Sequence, residues 1–409
     1  MKTRLVTLCL AGLLAALPGA AARAEEQSSC AACHLQEPGQ YHVDENDSMH
    51  LGAGIGCVDC HGGDAKAGDK DAAHAAAAGF TGKIGKARIP EACGDCHADV
   101  RRMNPYGLPT DQLAQYRTSH HGEQLFGKGD PDVATCVDCH GAHGIIDIRA
   151  PASPVYAKNV PSTCGRCHGD EQKMARHGLE TNQEADYQKS VHAHLLFDQD
   201  DLSAPTCATC HGNHGAVPPG FAKVEAVCGK CHVKQKEFFD QGPHAAPANE
   251  GKIEACVTCH SNHKVLPAGL KLFRVCTLCH SEGEKPYERA KKIYTLLDDT
   301  RKTYAAAEDT VNAATKAGFE TEDEEVMMAD AKTYLTQLAP LQHTMDLKRL
   351  SEVSGQVKKT SAGVESAIAH IKKAARLRKL ALIPLSAFML AMSFGFWLKK
   401  RGLHKDDDD

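Results

Sequence analysis

The chain has 409 residues, of which 19 are cysteine and 24 histidine, with aromatic residues at 5% and a formal net charge of −5. With no basic face beyond the flanks of one C-terminal apolar segment, that charge excludes a nucleic-acid-binding role. So many cysteines need an explanation, and their spacing along the chain supplies it.

In chain order, residues 1–24 come first: Lys2 and Arg4, an apolar stretch from Leu5 to Leu17, then Ala22-Arg23-Ala24 before Glu25. This is the pattern of a secretory signal peptide with an A-x-A cleavage site, too short an apolar run for a membrane anchor. Cys9 leaves with it, and the remainder is expected on the outer side of the cytoplasmic membrane.

Nine copies of Cys-x-x-Cys-His follow: Cys30-Cys33-His34, Cys57-Cys60-His61, Cys93-Cys96-His97, Cys136-Cys139-His140, Cys164-Cys167-His168, Cys207-Cys210-His211, Cys228-Cys231-His232, Cys256-Cys259-His260 and Cys276-Cys279-His280. They use every cysteine except Cys9, so no thiol remains for a structural disulfide. In this pentapeptide the two thiols attach a haem covalently and the adjacent histidine is the proximal iron ligand. Zinc is the competing reading, but it requires a second ligand pair for each motif, and none recurs. The expected cofactors are therefore nine covalently bound haem c groups.

The segment carrying them, residues 25–284, is internally duplicated. YRTSHHGEQLF from Tyr116 aligns with YQKSVHAHLLF from Tyr187, which superposes Ser119 on Ser190, His121 on His192 and Phe126 on Phe197. FFDQGPHAAP continues the series with Phe239 and His244, and DSMH places His50 ahead of Cys57. In three cases another histidine lies three residues beyond the motif: His143, His214 and His263. In the first unit Asp64 takes that place, and His74 is the nearest replacement. The reading is one lone N-terminal haem followed by four two-haem modules, at about 45–110, 116–182, 187–240 and 241–284.

Two non-motif histidines per module point to bis-histidine ligation, with His50, His74, His121, His143, His192, His214, His244 and His263 as candidate distal ligands. The spacing does not say which haem each one serves. Eight candidates do not cover nine irons. His42, eight residues beyond His34, is the preferred ninth; the alternative is one haem with an open position, the only opening for catalysis. His120, His177 and His194 do not recur and read as ordinary polar positions. Met103 and Met174 do align, and packing explains them better than a thioether ligand.

So little chain per haem leaves no room for an ordinary apolar core. The expected fold class is therefore a multihaem cytochrome c, mostly short α-helices and irregular loops around stacked haems. Near residue 285 the composition changes to an Ala-, Lys-, Glu- and Leu-rich sequence without cysteine. Residues 285–379 are expected to form a helical hairpin or three-helix stalk: one helix from near Tyr287 to Lys316, ended at Ala317-Gly318, and a second opened by a Thr321/Glu324 capping box and ended or kinked by Pro340. A third helix from about Gly355 is expected to run into residues 380–398, nineteen uncharged residues that form a C-terminal transmembrane helix. His343 and His370 lie far from any motif and read as exposed or packing residues. Residues 399–409 would be a cytoplasmic tail, placing the protein in the bacterial inner membrane with its haem domain in the periplasm.

On the segments GIGCVDCHGGD, TCVDCHGAHGI, SVHAHLL, APTCATCHGNHGAVPPG and CVTCHSNHKV, the chain resembles the doubled-CxxCH multihaem c-type cytochromes of anaerobic respiration. The resemblance implies closely spaced, low-potential bis-histidine haems. It also implies electron transfer between a quinol-oxidising or cytochrome b membrane subunit and soluble periplasmic or extracellular acceptors such as other cytochromes. On this reading the chain is an electron carrier without catalytic residues. The alternative is a terminal reductase of a small nitrogen, sulfur or oxyanion substrate at one open haem. The chain departs from ammonia-forming nitrite reductases, because no motif has Lys in place of its histidine, and from quinol dehydrogenases anchored at their N-terminus.

Overall fold

A computed structural model describes residues 28–34, 48–217, 224–267 and 273–403, so the signal segment, His42 and the acidic tail lie outside the described residues. No strand occurs among them. The chain divides into two compact units, one made of residues 1–163 and 213–216 and the other of 164–212 and 217–409.

Each leading motif of a module builds its own short helix. In Cys136–His140 the Asp138 carboxylate accepts from the Thr135 amide at 2.7 Å and from its hydroxyl at 2.8 Å, closing the first turn around the motif. Asp59 does the same for the Gly56 amide at 2.7 Å, and Thr209 for the Thr206 amide at 3.1 Å. The residue after the motif histidine leaves the helix with positive φ, 82° at Gly141 and 85° at Gly212, which glycine adopts without strain. The fourth module departs from this, with Ser261 at φ 66°.

The leading segments show why Tyr and Ser recur. Tyr116 is buried and donates its hydroxyl to the Ala134 carbonyl at 2.8 Å, while Tyr187 donates to Pro205 at 3.0 Å. Each tyrosine thus ties its segment to the chain just before the next motif. Ser119 and Ser190 are N-caps, accepting at 3.0 Å from the Gly122 and Ala193 amides, and their short helices carry His121 and His192.

The residue after each cap forms a long-range backbone bond, and this too recurs. Met49 donates to the Ile145 carbonyl at 2.8 Å, His120 to Ala216 at 2.9 Å, and Val191 to Val265 at 3.1 Å. In each case the acceptor lies two residues beyond the extra histidine of the following module (His143, His214 or His263). The leading segment of one module is therefore stapled to the histidine loop of the next.

The second unit ends in three long helices: α2 and α3, Lys285–Lys316 and Glu322–Leu341, and α4, Leu347–Leu403; α1, Val233–Asp240, packs on them from the haem region. Buried positions in α2 (Ile293, Leu297, Thr300, Tyr304, Ala307, Val311 and Ala314) advance in alternating steps of four and three, as in a heptad seam. In α4, Leu350, Ser354, Val357, Ser361, Val364 and Ile368 do the same. Met328, Ala331 and Leu338 of α3 complete the core. Inside it the Thr300 hydroxyl donates to the Leu296 carbonyl at 2.6 Å and accepts from Ser354 at 2.6 Å.

Two local expectations fail. The Thr321/Glu324 capping box does not form, because Thr321 is not extended (φ −133°, ψ 17°) and Glu324 is buried on the core face; the Thr321 hydroxyl bonds Glu325 at 3.0 Å instead. The third helix starts at Leu347 rather than Gly355, since Asp346 accepts from the Lys348 and Arg349 amides and caps it there. Helix α4 then continues without a break through the apolar stretch. That stretch is long and apolar enough to cross a membrane, and its side chains are exposed rather than packed as a core helix would be.

Candidate metal centres

The short helices and stapled loops bring imidazoles together in pairs across narrow gaps. In the first unit the ring centroids of His34 and His74 are 5.9 Å apart, His50 and His97 6.0 Å, His61 and His143 6.1 Å, and His140 and His214 6.1 Å. In the second unit the pairs are His192 with His232 at 6.3 Å, His211 with His263 at 6.0 Å, His244 with His280 at 6.3 Å, and His260 with His343 at 6.2 Å. Every pair contains one motif histidine.

The spacing carries chemical information. It is too wide for stacked rings in contact or for a direct hydrogen bond. Two metal–imidazole bonds of about 2 Å, plus about 1 Å from each donor nitrogen to its ring centre, put centroids about 6 Å apart on either side of one metal ion. Among the described residues no group of three or more His, Cys, Asp or Glu could hold a metal ion on its own. Two opposed imidazoles per site, beside two motif thiols, instead suit a metal whose equatorial ligands come with a macrocycle.

Proton placement fits the same use. Only a protonated nitrogen can donate to a carbonyl, so the contacts of Nδ1 in His74 to Lys70 at 2.7 Å, in His61 to Gly82 at 2.8 Å and in His343 to Pro340 at 2.9 Å leave Nε2 with its lone pair. Burial pushes the imidazoles of His97, His140, His168, His192, His214, His244, His260, His263 and His343 down from the ordinary histidine range. That favours the neutral ring, the form that binds a metal.

The pairing follows a rule that sequence spacing did not give. The histidine of a second motif meets the leading histidine of its own module, as in His50 with His97, His192 with His232 and His244 with His280. The histidine of a first motif meets the extra histidine of the next module, as in His61 with His143, His140 with His214 and His211 with His263. His74 faces His34, so the first module's extra histidine lies opposite the N-terminal motif. His121 is half-buried on the helix capped by Ser119, at the repeat position of His50, His192 and His244; His168 is half-buried in the other unit. His42 lies outside the described residues.

His343 corrects the sequence reading. It is half-buried in the turn between α3 and α4, facing His260, whereas His370 is exposed on α4. His120 and His177 are half-buried outside these pairs, and His194 is exposed with its Nδ1 2.6 Å from Asp198. Met103 and Met174 are buried, as packing residues would be.

The motif thiols also meet in register. Cys93 and Cys136 share a hydrogen bond that raises the first thiol and lowers the second, and Cys228 and Cys256 do likewise, with Cys228 lowered to about 7. Cys164 stands in the same relation to Cys207. These contacts join the second motif of one module to the first motif of the next. Once the sulfurs are thioethers their titration disappears and only this proximity remains.

A family model described as cytochrome c554 and c-prime matches residues 16–62, the stretch holding the first two motifs. The high-molecular-weight cytochrome c of Nitratidesulfovibrio vulgaris (strain Hildenborough) is 24% identical over 230 residues, covering 52% of this chain and 35% of that protein. This chain therefore spans about a third of the length of that relative. No solved structure gives a significant match. Together with the motifs, these similarities support a multihaem c-type cytochrome, a class that acts in electron transfer.

Proposed function

We propose that the chain is a membrane-anchored nine-haem c-type cytochrome that conducts electrons between a membrane quinol-oxidising or cytochrome b partner and periplasmic or extracellular acceptors. When bound, haem supplies one-electron iron chemistry, with a potential set by its axial ligands and surroundings. The observation that carries the reading is the set of opposed imidazoles 5.9–6.3 Å apart. On this reading each motif contributes two thioether sulfurs and a proximal histidine. His74, His143, His214 and His263, together with His50, His192 and His244, supply distal nitrogens.

Two imidazoles on one iron leave no position for a substrate. This supports a carrier over a terminal reductase at these sites. Motif sulfurs in contact between successive modules, as at Cys93 with Cys136 and Cys228 with Cys256, support closely spaced cofactors within each unit. The exposed apolar stretch of α4, flanked by basic residues, supports the anchor, and the signal segment supports a periplasmic haem domain.

Low-temperature EPR of the oxidised protein, with and without nitrite, and optical spectra of the reduced protein with CO test the proposal. Low-spin bis-histidine signals and no prompt response to either ligand are expected. A high-spin signal that shifts with added nitrite, accompanied by turnover, would establish the reductase reading instead.

A further inference from the structure

The pairing rule leaves one place where the repeat should fail. A first-motif histidine is met by the extra histidine of the next module, and after the fourth module the motifs end. His260 therefore has no repeat-derived partner. What faces it, at 6.2 Å, is His343, from the three-helix region rather than from any haem module.

The chain is altered locally at the two positions that would have to change for this to occur. In the other modules a cap serine precedes a residue whose amide staples the incoming histidine loop. In the fourth module those positions are Gly242 and Pro243. Pro243 has no amide hydrogen, so the staple cannot form. At Gly242 an added Cβ would collide with the His343 carbonyl oxygen, so only glycine lets the turn come this close. The substitutions remove the module-to-module device and open room for the α3–α4 turn.

That turn is held firmly. Phe238 of α1 packs against the three-helix core, and the Arg349 guanidinium lies over its ring, 5.6 Å from the centroid. Arg349 also donates to the Gln241 side chain at 3.2 Å. The Nδ1–H of His343 donates to the Pro340 carbonyl at 2.9 Å, leaving Nε2 with its lone pair. Pro340 sits in the last turn of α3, followed by a 3₁₀ turn at Gln342–Thr344 that carries His343.

We infer that His343 is the distal iron ligand of the haem attached at Cys256 and Cys259, so the helical region completes a metal centre that the haem modules leave half-built. This rests on the bis-histidine reading above. The site takes a haem iron between His260 Nε2 and His343 Nε2. The three-helix region then has a ligand role as well as a spacing role, and loss of haem at this one site should loosen the α3–α4 turn.

The test uses the full-length haem-loaded protein with the variants His343→Ala, His343→Met, His370→Ala and His192→Ala, each checked for haem content by pyridine haemochrome. Low-temperature EPR of His343→Ala is expected to show one of the nine haems converted to high spin, restored to low spin by added imidazole. His343→Met should stay low spin with one potential moved upward, and His370→Ala should match the parent. A parent-like spectrum for His343→Ala, with His192→Ala converting one haem, would overturn this inference and leave the bis-histidine reading standing. Parent-like spectra for both would overturn the two together. If His343→Ala does not accumulate, an unchanged set of potentials in His343→Met overturns the inference on its own.

Discussion

The backbone staple from Val191 to Val265 offers a direct way to weigh how the modules hold one another's ligands. Val191 is the first residue of its helix, after the cap Ser190, whose extended geometry (φ −82°, ψ 161°) is what a residue before proline prefers. Proline is well accepted at a first helical position, so Val191→Pro should leave the helix and its cap intact while deleting one donor. The lost bond spans 3.1 Å to the Val265 carbonyl. Val265 is half-buried, so water can partly replace the donor, and the cost lies near the usual net worth of a hydrogen bond, about 1 kcal/mol. His263 is only two residues away, and its loop must lift for the imidazole to leave the site opposite His211. The detached population should therefore rise about fivefold, since about 1.4 kcal/mol corresponds to a factor of ten. The assay is the slow phase of CO binding to the fully reduced protein, in which CO traps the detached state. One haem should react about fivefold faster in Val191→Pro than in Val191→Ala, which keeps the amide, by the same conversion. Equal rates in the two variants would show that the staple does not hold the ligand loop.

Further outcomes follow from the packing. Thr300→Val should destabilise the helical region by about 1–3 kcal/mol because buried Ser354 loses its acceptor, whereas the double variant with Ser354→Ala should recover most of that loss; hydrogen exchange of α4 amides reads both. Tyr187→Phe should cost about 1 kcal/mol in thermal stability without changing any haem spectrum, since Phe239 stands at the same repeat position and only the bond to Pro205 is lost. Truncation after Lys379 should release the protein from membranes with its haem spectrum intact, as detergent-free fractionation would show. Failure to release it would place the anchor elsewhere.

The recurring elements were legible because repetition within one chain acts as its own control. Tyr116 and Tyr187, Ser119 and Ser190, and the histidines two residues after each cap serine share positions, and the structure gives each a common physical job. Which imidazole faces which was not legible. The pairing crosses module boundaries and depends on backbone bonds such as that from His120 to Ala216, which leave no side-chain signature. His343 was missed because isolation from every motif looks like irrelevance in a linear reading. The available signal was negative: a repeat that ran out after His263, together with Gly242-Pro243 standing where serine and a donor stood before. The Thr321 box failed for a different reason, since the heptad seam claimed Glu324 for the core before the cap could use it.

The length of α4 bears on how electrons can arrive. The helix begins at Leu347 beside the His343 turn and reaches the apolar stretch at Leu380; those 33 residues, at 1.5 Å each, make a rod of about 50 Å. The named contacts between the haem region and the three helices (Phe238, Gln241 and Gly242) all fall at the far end of that rod. With the apolar stretch in a bilayer, the rod acts as a mast, raising the His260 site far above the lipid and beyond one tunnelling step from a quinol within it. A quinol held in the bilayer would then be out of reach of the His260 site itself. Electrons entering at that site would have to come from a centre standing at that height.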